Sequence, residues 1–298
     1  MQNGTLWLDD RGEPIQAHGG MIARFGETWY WYGENKGAPN RPGATRVDVI
    51  GVSCYSSADL RDWHYEGLAL RADEGVAELH PSQVLERPKV LHCEKTGQYV
   101  MWFHSDSPDY TRAAAGVAVS DKAEGPYRFL RAAQPNRRDC RDMTVFTNDD
   151  GSAWLVHSGD WNKTLYFSRL TDDYLGFTGE CHAALVDQER EAPALLRRGG
   201  LYYLVTSGCT GWSPNAALYA VSPFLTCGWK LIDNPCEGAR RTYEGQSTWI
   251  FEADGQAYLL LDHWKPNDLR HSGYSILPVF ADGLSMRIPW RDTFPPTP

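Results

Sequence analysis

The chain has 298 residues, 42% hydrophobic, 12% aromatic and 22% charged, with a formal net charge of −9. An acidic chain without a basic cluster argues against nucleic acid or an anionic membrane surface as a partner. No stretch approaches the roughly 20 apolar residues that a membrane helix needs. No low-complexity segment or linker divides the sequence, so we expect a single domain over residues 1–298.

The cysteines and the N-terminal segment bear on the compartment. The seven cysteines are odd in number and scattered, and none forms a Cys-x-x-Cys pair. This pattern favours reduced thiols over a disulfide framework. The first ten residues lack the basic and apolar regions of a signal peptide. We therefore expect a cytoplasmic, bacterial protein; removal of a leader peptide is the open alternative.

Strand patterns dominate the chain from one end to the other. Five times, two short apolar runs flank a turn that contains glycine, which predicts a β-hairpin. Between hairpins, a strand, a Ser/Asp turn and a Trp or Pro-aromatic pair recur, and helical periodicity is nearly absent. The paired runs are 21–25 with 28–32, 90–93 with 99–103, 144–146 with 153–156, 195–196 with 201–205, and 248–251 with 257–261.

One polar residue stands close to each hairpin. These residues are His18, Glu86, Asp142, Glu191 and Gln246, separated by 68, 56, 49 and 55 positions. A strand-rich unit about every 40–60 residues, each presenting a polar side chain at a similar place, is typical of a radial propeller with a site on its axis. The sequence predicts an all-β fold, a five-bladed β-propeller.

Several motifs, in order along the chain, resemble glycoside hydrolase family 43. They are Gln-Ala-His-Gly-Gly (16–20), Glu-Arg-Pro-Lys-Val (86–90), Arg-Asp-Met-Thr (141–144), Arg-Glu-Ala-Pro-Ala (190–194) and Gln-Ser-Thr (246–248). Within the family, residues 8–292 most resemble the branch of exo-β-1,3-galactanases and β-galactofuranosidase-like enzymes. The resemblance implies an inverting, exo-acting hydrolase that releases terminal galactose, or a galactofuranosyl or arabinofuranosyl unit, from β-linked galacto-oligosaccharides or glycan side chains.

The resemblance also assigns two carboxyl groups. Glu191 matches the general acid, which protonates the leaving oxygen, and Asp142 matches the aspartate that orients this acid and raises its pKa. Inverting hydrolysis further requires a base that activates water on the opposite face of the sugar.

The base is where the sequence departs from most of the family. An aspartate near the first blade is usual, but residues 17–20 contain no carboxylate. Gln246 and Glu86 match residues that hold the water or the terminal sugar in the galactanase-like branch. We expect both to face the sugar from the side opposite Glu191. A neutral amide is a poor base, unless it tautomerises or serves only to position the water, so Glu86 is the alternative.

Further positions match residues that line the sugar pocket in that branch. A lone histidine is weak evidence for a metal, so no metal or cofactor is expected. A calcium or other structural ion on the propeller axis is the alternative. The sequence Asp-His-Trp at 262–264 replaces the Asp-Arg-Trp that is more usual in the branch. Whether this segment contacts the sugar at the rim of the pocket is therefore left open. The predicted sugar-binding residues are His18, Glu34, Tyr110, Asn162, Thr210, Trp212 and Asp262.

Two other functions fit the same residues. The missing aspartate is compatible with a carbohydrate-binding propeller that has lost catalysis, although a lectin needs no paired Glu191 and Asp142. An inverting glycoside phosphorylase needs no protein base, and Arg87 and Lys89 are candidates for its phosphate site. An oligosaccharide is the expected partner in all three cases.

Overall fold

The computed structural model describes residues 1–295. It contains five antiparallel sheets of four strands each, arranged in chain order. The first sheet is β1 (His18–Phe25), β2 (Thr28–Glu34), β3 (Gly51–Ser57) and β4 (His64–Arg71). The second is β5 (Val84–Cys93), β6 (Gln98–Asp106), β7 (Ala114–Ser120) and β8 (Arg128–Ala133).

The other three sheets repeat this arrangement. The third is β9 (Met143–Thr147), β10 (Ala153–Gly159), β11 (Thr164–Leu170) and β12 (Phe177–Ala184). The fourth is β13 (Arg190–Arg198), β14 (Leu201–Gly208), β15 (Leu218–Ser222) and β16 (Lys230–Leu231). The fifth is β17 (Gln246–Ala253), β18 (Gln256–His263), β19 (Gly273–Asp282) and β20 (Ser285–Arg287).

The sheets are the blades of a propeller whose first strands lie innermost. Strands β1, β5, β9, β13 and β17 each contact the next, and β17 contacts β1. The N-terminal segment reinforces this closure, since Thr5 pairs with Tyr274 of β19 and Gln2 pairs with Thr293. The side chain of Asn3 also donates to the carbonyl of Ile276 at 3.1 Å. Hydrogen bonds and packing therefore close the ring.

The predicted architecture is confirmed. All five hairpins form, and each is the inner pair of strands of one blade. Helix within residues 1–295 is limited to three single turns of 3-10 type, Pro135–Arg137, Thr242–Glu244 and Leu269–His271. None of the helices described over this range is long and apolar enough to cross a membrane.

The aromatic residues fill the spaces between blades. Trp7, Trp31, Trp63 and Tyr274 are each at most 2% exposed and belong to one core cluster that joins blades 1 and 5. Aromatic side chains bury large areas and pack edge to face, as Trp31 and Trp63 do at 5.3 Å between ring centroids. Most of the high aromatic content thus serves the core. All seven cysteines are unpaired in the described chain.

Three inner strands share a backbone irregularity at the same position. In β1, β5 and β13 the pairing register shifts directly after His18, Glu86 and Glu191. The residue that follows each has a positive φ: Gly19 at 57°, Arg87 at 56° and Ala192 at 53°. A β-bulge of this kind bends the strand and redirects a side chain. The three blades therefore have the same β-bulge at the end of the propeller where the polar residues lie.

Candidate active site

A cavity of about 290 Å³ lies at this end of the ring, where the inner strands begin. Glu86, Glu191 and Gln246 reach it from the first residues of β5, β13 and β17, and Asp142 from the position before β9. The pocket thus collects one polar residue from each of four blades. The full lining is Glu34, Glu86, Arg87, His104, Tyr110, Arg141, Asp142, Asn162, Glu191, Gly211, Trp212, Gln246 and Trp264.

The second strand of each blade supplies a partner for the first. Directly opposed pairs in the hairpins are His18 with Glu34, Glu86 with His104, Glu191 with Ser207, and Gln246 with Asp262. Opposed residues in an antiparallel pair lie about 4.5–5.5 Å apart. The site therefore has two layers of polar residues.

Glu191 is held as a protonated acid near neutral pH. Burial raises its pKa, the nearby charge of Asp142 raises it further, and together they bring it to about 8. The amide nitrogen of Gln246 donates to Oε1 of Glu191 at 3.1 Å, and Nδ2 of Asn162 lies 3.5 Å from Oε2. A carboxyl group that keeps its proton at pH 7 is suited to general acid catalysis.

Asp142 is tied to two neighbouring blades. Its Oδ2 accepts from the guanidinium of Arg87 at 2.8 Å and from the backbone N–H of Ala192 at 3.0 Å. Ala192 follows Glu191 directly, so Asp142 fixes the bulge that carries the acid. This contact keeps the Asp142 charge beside Glu191.

Both the oxygen and the nitrogen of the Gln246 side-chain amide have hydrogen-bond partners. Its Oε1 accepts from Arg87 at 2.8 Å and from the indole N–H of Trp264 at 3.0 Å. Two donors on the oxygen fix the amide orientation, which leaves Nε2 to donate to Glu191 and to Ser207, each at 3.1 Å. The expected position of Gln246 on the side opposite Glu191 is therefore wrong, because the two side chains are in contact.

Glu86 has the opposite electrostatic environment. Burial acts to raise its pKa, but the hydrogen bond from His104 and the charge of Lys36 outweigh burial and lower it to about 2. Nδ1 of His104 lies 3.3 Å from Oε2 of Glu86, and the hydroxyl of Tyr110 donates to Oε1 at 3.0 Å. Glu86 is consequently an ionised carboxylate at neutral pH.

His104 is positively charged in this arrangement. Burial alone would lower its pKa, but the contacts of its ring nitrogens with Asp106 and Glu86 raise it to about 9. Its Nε2 lies 2.8 Å from Oδ2 of Asp106, a side chain that is fully buried. Asp106, His104 and Glu86 thus form a line of alternating charge that ends in the pocket.

The other predicted sugar-binding residues fall into three groups. Glu34, Tyr110, Asn162 and Trp212 line the cavity. His18 and Asp262 are 0% and 1% exposed, and they form a buried pair at 3.0 Å beneath it. Thr210 lies outside the lining, where its hydroxyl donates to the carbonyl of Ser213 in its own loop.

His18 and Asp262 support residues of the site from beneath the cavity. The ring of Trp264, which lines the cavity, lies 5.2 Å from the ring of His18. Asp262 also accepts the backbone N–H of Gly19 at 2.7 Å, which fixes the bulge of blade 1. Nε2 of His18 lies 3.1 Å from the hydroxyl of Tyr274, so both ring nitrogens are occupied.

Sequence reasoning missed His104 and Lys36. Lys36 pairs with Glu34 at 2.7 Å and approaches Glu86 at 4.0 Å. His104 could have been found from the hairpin register, because it lies opposite Glu86 once the bulge is counted. Trp264 was noted only as part of a variant motif, yet it reaches the pocket wall.

One group of side chains could offer ligands to a metal ion. Atoms of Glu86, His104 and Asp142 lie within 4.8 Å of one another. Arg87 already pairs with Asp142, and the His104 ring faces Glu86 as a cation. A divalent ion would have to displace both positive charges, so the expectation of a reaction without metal stays a prediction.

Comparison with solved structures gives close matches over the whole fold. A β-1,3-galactosidase described as GH43, solved with galactodeoxynojirimycin, is 34% identical with a TM-score of 0.92 and covers 99% of both chains. The exo-β-1,3-galactanase of Phanerochaete chrysosporium, solved with β-1,3-galactotriose, is 33% identical with a TM-score of 0.89. That match covers 97% of this chain and 66% of the fungal one.

Among curated proteins, the β-D-galactofuranosidase xynD of Aspergillus niger is 25% identical over 229 residues. This alignment covers 70% of the present chain and 64% of the relative, so the chain spans less than two thirds of its length. The profile of glycosyl hydrolases family 43 matches residues 17–230, which is more than half of the chain. The protein belongs to glycosyl hydrolases family 43.

Proposed function

We propose that this protein is an inverting exo-hydrolase that removes terminal galactose from β-1,3-linked galacto-oligosaccharides. The observation that carries the proposal is the pairing of a protonated Glu191, with a pKa of about 8, and an ionised Glu86, with a pKa of about 2, in one cavity. Acid and base roles are assigned where two titratable groups have their pKa values driven apart. The ligands of the solved relatives, galactodeoxynojirimycin and β-1,3-galactotriose, support galactose as the sugar.

An exo mode of action is supported by the closed floor of the pocket. His18 and Asp262 are fully buried beneath it, and Trp264 covers His18 from above. We infer that a sugar chain enters this cavity by its end. The terminal unit is then the one that reaches Glu191.

The hydrolytic steps follow from these contacts. Glu191 donates its proton to the glycosidic oxygen, while Asp142, held by Arg87, keeps that proton on Glu191 until the bond begins to break. Glu86 accepts a hydrogen bond from the attacking water or from a hydroxyl of the terminal sugar. Gln246 orients the acid, because its oxygen is occupied by two donors and its nitrogen faces Glu191.

Product analysis tests the reaction class. We expect β-1,3-galactotriose to yield galactose one unit at a time, with the α-anomer appearing first by proton NMR, because direct displacement by water inverts a β-linkage. A panel of nitrophenyl glycosides checks whether galactose is preferred over galactofuranose and arabinofuranose. Turnover that requires phosphate identifies a phosphorylase instead, and binding without turnover identifies a lectin.

Two variants separate the possible roles of Gln246 and Glu86. If Glu86 holds the water, Glu86→Gln lowers kcat by about 10²–10⁴-fold at every pH. Gln246→Ala then acts mainly through Glu191 and shifts the pH at which the rate falls. If instead Gln246→Ala removes activity with an unchanged pH profile, the water belongs to Gln246.

A further inference from the structure

Lys89 is a charged side chain to which the hydrolytic steps give no role. It lies in β5, three residues after Glu86, and it is 0% exposed. In blades 1 and 4 the first residues paired after the bulge are Met21 and Ala194, both buried and apolar. An apolar side chain therefore fits this place in the fold, whereas a buried lysine is costly unless its N–H groups are bound. The same burial makes Lys89 unsuited to bind a phosphate ion in the cavity.

Two backbone carbonyls bind the amino group of Lys89. Its Nζ donates to the carbonyl of Gly19 at 2.8 Å and to the carbonyl of Arg87 at 3.3 Å. Gly19 and Arg87 are the residues with positive φ in the bulges of blades 1 and 2. One buried side chain thus joins the two bulges that follow His18 and Glu86.

The backbone N–H groups of the same two residues are bound by carboxylates. The N–H of Gly19 donates to Oδ2 of Asp262 at 2.7 Å, and the N–H of Arg87 donates to Oε1 of Glu34 at 2.9 Å. Each bulge residue is therefore fixed by a carboxylate at its N–H and by Lys89 at its carbonyl. A positive φ is costly at a residue with a side chain, such as Arg87, and persists only where neighbours enforce it.

Blade 4 fixes its bulge in the same way, but with a neutral donor. The N–H of Ala192 donates to a carboxylate, that of Asp142, and its carbonyl accepts from the hydroxyl of Ser247 at 2.7 Å. Ala192 is the residue that follows the acid, Glu191. Ser247 therefore fixes the blade that carries the acid, as Lys89 fixes blade 2.

The contacts of Lys89 do not depend on its charge alone. Burial and the nearby Arg87 lower the pKa of Lys89 to about 7, although the charges of Glu34, Asp142 and Asp262 act to raise it. The ammonium has three N–H groups and the neutral amine has two, so either form can donate to both carbonyls. The bulges therefore stay fixed on both sides of neutral pH.

We propose that Lys89 is a positioning residue of the reaction, which directs the Glu86 carboxylate by fixing the backbone of Arg87. Glu86 directly precedes this bulge residue and lies opposite His104. If the bulge moves, Glu86 moves away from His104 and from the water or sugar hydroxyl that it holds. This inference rests on the proposed function, because Glu86 must act on the side of the water and not on the side of the acid.

Two substrates and two variants separate the two sides of the cavity. β-1,3-Galactobiose needs a proton from Glu191 and β-galactosyl fluoride does not, but both need the attacking water. We expect Lys89→Met, which keeps the length of the side chain, to lower kcat about 10-fold on both substrates and to change KM by less than about twofold. Ser247→Ala should lower kcat about 10-fold on galactobiose and change the fluoride rate by less than about twofold.

The controls separate positioning from loss of folded protein. Near-UV circular dichroism measures the folded fraction, and rates are expressed per folded molecule. Lys95→Met, at an exposed pair with Asp172, should alter neither rate. If Lys89→Met does not fold, the same two rates in Lys89→Gln, a shorter and neutral side chain, decide the question.

Three results overturn the role of Lys89. They are a wild-type kcat in Lys89→Met, a loss on galactobiose alone, and a loss that disappears when rates are expressed per folded molecule. A wild-type enzyme that hydrolyses neither substrate refutes the proposed function instead.

Discussion

Glu86 and Glu191 stand on the same backbone arrangement in blades 2 and 4, yet their carboxyl groups are held in opposite charge states. Each lies within the first three residues of an inner strand, and each is followed by a bulge and a residue with positive φ. The pKa of Glu86 is about 2 and that of Glu191 about 8.

The difference comes from the neighbours that the second strand and adjacent blades provide. Glu86 lies opposite His104, a cation, whereas Glu191 lies opposite Ser207, which is neutral. Glu191 also has the charge of Asp142 nearby. The bulge thus sets where a carboxyl group points, and its partners decide whether that group carries a proton.

The largest effect is expected from removing the acid. Glu191→Gln should lower kcat by about 10²–10⁴-fold on galacto-oligosaccharides. The rate with β-galactosyl fluoride should change little, because fluoride leaves without a proton. Steady-state kinetics on both substrates measure this, and wild-type rates on a natural disaccharide would contradict the assignment.

The same variant should change stability in a pH-dependent way. The pKa of Glu191 is raised in the folded state, so the favourable contribution of this group is present at low pH and is lost as pH rises through about 8. Glu191→Gln should therefore exceed the wild type in Tm at pH 9 and lose that advantage at pH 5. Thermal unfolding at the two pH values measures the difference.

An intermediate effect is expected from removing the cation beside Glu86. In His104→Asn, Glu86 loses its principal positive partner, so its pKa should rise by about one to two units. The acidic limb of the kcat/KM profile should move to higher pH by the same amount. His182→Asn removes a similar His–Glu contact at an exposed site and should leave the profile unchanged.

A smaller effect is expected from changing the charge beside Glu191. Asp142→Asn removes a charge that raises the pKa of Glu191, so this pKa should fall below about 8. Because Glu191 donates only while protonated, the alkaline limb should then begin at lower pH, by about one unit. Asp149→Asn, at an exposed pair with Arg197, is the control. If the alkaline limb of the pH–rate profile does not move, Asp142 positions Glu191 without changing its pKa.

The smallest effect is expected at the bulge itself. Ala192 has a φ of 53°, a conformation that glycine adopts freely, whereas Ala194 lies in the regular part of β13. Both methyl groups are buried, so Ala192→Gly and Ala194→Gly remove the same contact area. Ala192→Gly should be more stable than Ala194→Gly by about 0.5–1 kcal/mol in urea unfolding. Equal values would mean that the bulge stores no strain.

The fold was predictable because its signals are local. A glycine such as Gly26 or Gly255 between two apolar runs specifies a hairpin without knowledge of the rest of the chain. The positions of Glu86, Asp142 and Glu191 were predictable from their spacing and from the family resemblance.

The electrostatics of the site were less predictable because they depend on register and distance. His104 meets Glu86 only after a bulge shifts the pairing by one residue. The contact between Gln246 and Glu191 joins residues 55 positions apart across two blades. No periodicity in the sequence encodes either contact, so the predicted placement of Gln246 across the sugar was wrong.

Ring closure has a consequence for how the molecule is synthesised. The contacts that join blade 1 to blade 5 link residues far apart in sequence, 273 positions for Asn3 with Ile276 and 243 for Gly19 with Asp262. Contacts of such long range form late, because the intervening chain must first be ordered. Arg87 reaches Gln246 only after blade 5 has emerged from the ribosome. Recovery of enzymatic activity during refolding should therefore lag behind recovery of β-structure, and the lag measures the time taken to close the ring.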